Sequence, residues 1–433
     1  MDSNTAPAYA PKRLLIVARR FPYNHGEVAA EAYLETEIAF LAPYFDEVLA
    51  VGTEAAATDE PTCRLPKNVV PLALGCGCAR KDKVRLTLAG MRMSARPDGR
   101  AAACLATDPV ETPGQFAFRG YFYARAREKY DALVKRLDVE KFTPTHVYSF
   151  WLYDTALVAS WIKDEMGCSG AVSRAHRYDL YREQNKLGYL PFRSYLFDRL
   201  DRVLPCSENG HDYLGDTWKI PSAKVAVSHL GTRDLPDKSS ESRQGPFKIV
   251  SCSRVVDTKR VGLIADALKI LDARGVPVEW THYGAGPCLR DVVRTCSTFS
   301  KVRATFAGAL PNAEILGRYA ANHYDLFVNV STVEGLPLSI MEACGCGMPV
   351  LATDVGGTSE IVADGVNGAL LPADCTAEAV ADAIAAFVEA PAERLLGMRA
   401  ASRDVWEREF TVRGNVAGLV GHMRANDGLR AAS

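Results

Sequence analysis

The sequence predicts an α/β protein made of two doubly wound parallel sheets. Three observations carry this reading: short runs rich in Val, Ile and Leu alternate with longer amphipathic segments, the runs fall into two series, and a polar break separates the series. Strands of the first series are expected at residues 13–18, 47–52, 69–74, 146–151, 171–176, 202–207 and 225–230, and those of the second at 248–253, 278–284, 304–308, 325–330 and 349–353. The break, 234–246 (DLPDKSSESRQGP), holds too much Pro, Ser, Gly and charge to build a core and reads as a linker. Helical periodicity from about Thr376 onward predicts a carboxyl-terminal segment that packs back on the first half. The expected division is a Rossmann-like domain at 1–233, a second at 247–405 and a helical return at 406–433.

A chain of 433 residues has room for two large domains at about 150 residues each with long loops. With 48% apolar residues, 24% charged residues and a net charge of −1, the composition excludes disordered, collagen-like and coiled-coil chains. It also gives no global reason to expect a polyanion such as nucleic acid as partner. The apolar run near the amino end is strand-sized and flanked by proline and arginines, which does not suit a signal peptide. Elsewhere the longest apolar stretches fall short of the ~20 residues a spanning helix needs. Twelve cysteines occur without a C-x-x-C pair, so zinc-ribbon and redox-pair readings lack support, and reduced thiols in a cytoplasmic protein are expected.

In open α/β sheets, ligands bind beyond the carboxyl ends of the strands. With two such sheets the strand ends can face each other, so an interdomain cleft is expected. The densest constellation is 329–342, NVSTVEGLPLSIME, a strand end running into a helix near Pro337, where proline suits the first helical position. Gly335 and Leu336 leave backbone N–H groups ahead of that helix, and the helix dipole adds to their attraction for a phosphate. Glu334 precedes the turn, and Glu342 lies about 7 Å deeper along the helix, so a bound diphosphate has one carboxylate near each end, suited to vicinal hydroxyls. In 250–262, VSCSRVVDTKRVG, Arg254 follows a strand and Lys259 opens the next helix. Two cations there suit a departing diphosphate and take the place of a metal; the chain has no D-x-D pair. The turn Gly284-Ala285-Gly286-Pro287 fails as a dinucleotide fingerprint because Leu289 replaces the third glycine, which weakens a nicotinamide oxidoreductase reading.

Ser253-Arg254 with Lys259, the Gly284–Pro287 turn, the E-x7-E pair Glu334 and Glu342, and Asp354-Val355-Gly356-Gly357 followed by Glu360 together resemble the retaining glycosyltransferases of family 4, over residues 248–371. The resemblance implies the GT-B fold and metal-independent sugar transfer from a nucleoside diphosphate sugar, UDP- or GDP-linked, with retention. It places Glu334 on the transferred sugar, Glu342 on the ribose, and Arg254 and Lys259 on the diphosphate. Gly284, Gly286, Gly335, Leu336, Pro337, Gly356 and Gly357 complete the implied donor site. Arg260 departs from the pattern, since the family usually has glycine there.

In the first half, His176 ends a strand in 171–184 (AVSRAHRYDLYREQ), placed to donate to a sugar hydroxyl or to developing charge, and the resemblance gives it contact with the transferred sugar. Asp179 reads either as an acceptor contact or as a helix cap. Trp151 reads either as a stacking face for an acceptor ring or as a core aromatic. The loop FPYNHGE contributes Gly26 to the donor and Glu27 to the acceptor; it is similar to the branch of the family that acts in colanic-acid and other exopolysaccharide synthesis. Residues 80–100 carry Arg80, Lys81, Lys83, Arg85, Arg92, Arg96 and Arg100 against Asp82 and Asp98, interleaved with Val84, Leu86, Leu88 and Met91. That pattern fits either a solvated basic helix or peripheral contact with the inner face of a membrane.

The resulting expectation is a retaining glycosyltransferase that moves a sugar to a saccharide or lipid-linked saccharide acceptor in cell-surface or exopolysaccharide synthesis. No metal or other cofactor is expected. A nucleotide-sugar epimerase and a non-catalytic sugar-nucleotide-binding protein on the same scaffold are the alternatives.

Overall fold

A computed structural model describes residues 11–23, 31–76, 80–241 and 245–427. The chain divides into two units: the described residues up to Cys206 with Gly210–Ser228 and those from Val416 on form the first, and Ser207–Asn209 with His229–Asn415 the second.

The first unit is built on β1 (Arg13–Ala18), β2 (Glu47–Gly52), β3 (Val69–Ala73), β4 (His146–Ser149), β5 (Gly170–Ala175) and β6 (Arg202–Pro205), all parallel, in the order β3-β2-β1-β4-β5-β6. Leu14 to Ala18 of β1 are completely buried, as a central strand covered on both faces requires. Each Leu, Ile or Val so buried contributes about 1.5–3 kcal/mol. The last described turns lie against this sheet: Asp427 Oδ1 is 2.7 Å from Nε2 of His146, the first residue of β4. The second unit holds β7 (Phe247–Cys252), β8 (Val278–Tyr283), β9 (Arg303–Phe306), β10 (Leu326–Asn329), β11 (Val350–Thr353) and β12 (Gly368–Leu371), again all parallel, in the order β12-β11-β10-β7-β8-β9. Each sheet thus repeats the order 3-2-1-4-5-6 within its own half. Its ligand crevice is expected where the winding reverses, at β1/β4 and at β7/β10.

Three expectations change. Residues 225–230 form no strand; a single bridge joins Val203 and Val225, with Ala226 N donating to Val203 O and Ser228 N to Pro205 O. The reciprocal bond would have to come from Pro205, which has no N–H, so the ladder stops. β12 has no counterpart in the sequence reading, because four residues with little alternation acquire strand character only by pairing with β11. The supposed linker does more than connect. Leu235 is buried, and Arg399 and Arg403 of the helix Ala392–Glu409 donate to the carbonyls of Lys238 and Leu235.

Candidate functional site

The loops leaving β7, β8, β10 and β11 form one connected set within the second unit. β10 ends at Asn329, whose Oδ1 accepts from Ser331 N (3.1 Å) and Ser331 Oγ (2.6 Å), turning the chain out of the sheet. Asn329 Nδ2 then reaches Glu334 Oε1 at 3.2 Å, and Lys259 Nζ donates to the same oxygen at 2.5 Å. One carboxylate and one cation, 75 residues apart in sequence, are thereby fixed together at the switch point between β7 and β10. Arg254, two residues past β7, is exposed, and its guanidinium makes no hydrogen bond or ion pair with the described residues.

Beyond Glu334 the helix Leu338–Gly345 begins, with Pro337 as its amino-terminal cap (φ −77, ψ 103). Proline stands one position earlier than the sequence reading placed it, because its ψ is extended. Its carbonyl already serves the helix by accepting from Ile340 and Met341. The amides of Gly335, Leu336, Leu338 and Ser339 have no acceptor among the described residues. Unpaired amides at the positive end of a helix dipole favour a phosphate. Glu342 sits in the helix, 8% exposed, with Asn312 Nδ2 donating to its Oε1 at 2.8 Å.

The glycines explain how closely these loops approach. Gly284 has φ +142, and a Cβ there would lie 1.8 Å from Ser253 O; one on Gly286 would lie 2.2 Å from Val255 O. Gly356 has φ +59, and its Cβ would meet Glu334 O at 2.2 Å, while Gly357 N donates to Gly335 O at 2.7 Å. These four residues, expected at the donor, hold the Arg254 and Glu334 loops against their neighbours. Arg260 is left-handed (φ 45), which is the physical reason a glycine suits the position, and its Nε bonds Val330 O at 2.7 Å.

Burial pushes the Glu342 carboxyl up to about 7, with donation from Asn312 opposing part of that rise. Because its folded value lies above the ordinary glutamate value of 4.5, the carboxyl contributes stability at low pH and loses it as pH climbs through about 7. Glu342→Gln should lack this component. The thermal midpoint of the parent is therefore expected to fall relative to the variant across that window; a constant difference between the two proteins would count against it.

In the first unit the structure gathers Trp151, His176 and Asp179 beyond the ends of β4 and β5. The rings of Trp151 and His176 are 4.8 Å apart. His176 Nε2 lies 3.1 Å from Phe150 O, and Nδ1 lies 3.4 Å from Cys206 Sγ, so both ring nitrogens are engaged within the protein. Burial, then the charge of Arg174, lowers its pKa to about 3, which keeps the imidazole neutral. The expected donation from His176 to a sugar hydroxyl therefore has no free N–H in this arrangement.

Asp179 corrects the acceptor reading in favour of the cap. It is fully buried, Oδ1 accepts from His176 N at 2.6 Å, and Oδ2 accepts from Leu152 N at 2.7 Å. Burial raises its carboxyl to about 7 against the opposing Arg193 charge and amide donors. Trp151 is half-buried, with Nε1 donating to Glu31 at 2.6 Å. Gly26 and Glu27 lie outside the described residues.

Sequence reasoning missed Glu31, Asn312 and Asn329. Glu31 is 1% exposed, and besides Trp151 its carboxylate accepts from the successive amides of Arg19, Arg20 and Phe21 at 2.8, 2.7 and 2.6 Å, spanning the β1/β4 switch point. Nothing local marks it. Asn329 could have been found as a polar residue closing an apolar strand directly ahead of the Glu334 turn.

Two Rossmann-like units, each a six-stranded parallel sheet of order 3-2-1-4-5-6, give the chain the GT-B fold. Sucrose-phosphate synthase (tll1590) of Thermosynechococcus elongatus matches with a TM-score of 0.69 at 15% identity, covering 98% of this chain and all of that one. The crystal structure of Anabaena HepE in complex with UDP matches with a TM-score of 0.61 at 16% identity, over 96% of this chain and 100% of its own. Residues 246–390 match the family described as Glycosyl transferases group 1. Among curated relatives, WcaL of Escherichia coli K12, a candidate colanic acid biosynthesis glycosyltransferase, is 28% identical over 54% of this chain. The amylovoran biosynthesis glycosyltransferase AmsK of Erwinia amylovora is 28% identical over 45% of it. The matched segments span 59% of WcaL and 48% of AmsK.

Proposed function

We propose that this chain is a glycosyltransferase that moves a sugar from a UDP- or GDP-linked donor to a saccharide or lipid-linked saccharide, in exopolysaccharide or cell-surface synthesis. The observation that carries the reading is the placement of Lys259 on Glu334 at the β7/β10 switch point, next to the unpaired amides that open the Leu338–Gly345 helix. A diphosphate on those amides brings negative charge to Lys259 and Arg254, while Glu334 and Glu342 accept from hydroxyls of the sugar and ribose. The WcaL and AmsK matches support the polysaccharide assignment, and the UDP complex of HepE supports a nucleotide donor.

In the proposed reaction the bond from the anomeric carbon to the diphosphate oxygen breaks as the acceptor oxygen bonds the same face of that carbon. The acceptor proton passes to the departing diphosphate, so configuration is retained and no enzyme–sugar bond forms. Arg254, Lys259 and the helix amides stabilise the charge that grows on the leaving group, the work a divalent cation does in other transferases. Incubating the full chain with UDP- and GDP-sugars, with and without chelator, tests this. Slow release of free sugar from one donor, unchanged by chelator, is expected. Failure of every donor to bind or hydrolyse, or loss of activity with chelator, would refute it.

A further inference from the structure

We propose that the outward face of the helix Arg80–Ala95 docks on an anionic lipid bilayer, an inference that extends the lipid-linked acceptor reading above. The helix lies against the helix Pro113–Glu140 at a glycine crossing, where a Cβ on Gly90 would lie 1.9 Å from Gly120 O. Leu86, 3% exposed, packs on that inner side. Val84, Leu88 and Met91, spaced i, i+4, i+7, form a single stripe on the opposite side. They are 63%, 53% and 42% exposed, although a packed helix would ordinarily turn such residues inward. Lys83, Arg92 and Arg96 are exposed around the stripe and pair with no carboxylate among the described residues.

An apolar ridge ringed by unpaired cations matches the chemistry of a bilayer surface, where acyl chains lie beneath anionic headgroups. A second copy of this face is a poorer occupant, because it would bring like charges together. No described helix is long and apolar enough to cross a membrane.

Flotation of the full chain tests the proposal, using vesicles of phosphatidylcholine alone or of equimolar phosphatidylcholine and phosphatidylglycerol. Binding is expected to be about 100-fold stronger on the anionic vesicles, as three basic residues near a charged surface supply, and to weaken with salt. Val84→Ser/Leu88→Ser/Met91→Ser should weaken it at least about tenfold. Lys83→Gln/Arg92→Gln/Arg96→Gln should abolish the preference for anionic lipid. All six side chains are exposed, so both variants should keep the parental thermal midpoint. Equal binding by parent and serine variant, or no preference for anionic lipid, overturns the proposal. Self-association of the parent that the serine variant loses, without vesicle capture, overturns it in favour of a second copy. The assay contains neither nucleotide nor saccharide, so its failure is separable from failure of the donor reading.

Discussion

Lys259→Ala is expected to lower turnover of the nucleotide-sugar donor by about 10² or more, as removal of a preorganised charge partner does in other active sites. The amine lies 2.5 Å from Glu334 Oε1, so in the free protein this cation is held by a carboxylate whose side chain is 9% exposed. A diphosphate can draw on the amine only by competing with Glu334, and it competes better as the glycosidic bond breaks and charge accumulates on it. The loss should therefore fall on kcat more than on KM. The Lys259 side chain is 27% exposed, so its ion pair contributes little to folding and the variant should unfold near the parental temperature. Near-parental kcat in the folded variant would remove Lys259 from the reaction.

Glu31→Ala should destabilise the first unit by about 4 kcal/mol, because four donors that converge on one buried carboxylate lose their acceptor together: the buried Phe21 amide costs roughly 1–3 kcal/mol and the three part-buried donors add less each. Those donors are the amides of Arg19, Arg20 and Phe21 and the indole of Trp151. Glu31→Gln should fall between the two proteins, since it keeps one oxygen but turns an NH2 toward donors that need an acceptor. Urea unfolding followed by tryptophan emission measures the effect. An alanine variant that unfolds at the parental urea concentration removes Glu31 as the tie across the β1/β4 switch point.

The strand-end motifs of the second unit were legible because their structure is local. A residue just past an apolar strand lies at the sheet's carboxyl edge wherever the strand packs, so Arg254 and Glu334 could be placed there from sequence, and a helix after Gly335-Leu336-Pro337 presents free amides whatever surrounds it. His176 and Asp179 were legible in position but not in role. Their polar atoms are taken by Phe150, Leu152 and Cys206, whose proximity depends on neighbouring strands of the sheet.

By itself, then, the sequence determined two parallel sheets, their central strands and the strand-end loops where an anion would bind, because hydrophobic periodicity and turn chemistry act over a few residues. Only the tertiary structure decided that 225–230 fails to extend the first sheet, that 368–371 extends the second, and that Glu31 governs the first switch point. Those outcomes rest on a missing N–H at Pro205, on an edge offered by β11, and on a carboxylate bonded to an indole 120 positions away. Short-range pattern does not encode such pairings, because folding alone brings the partners within reach.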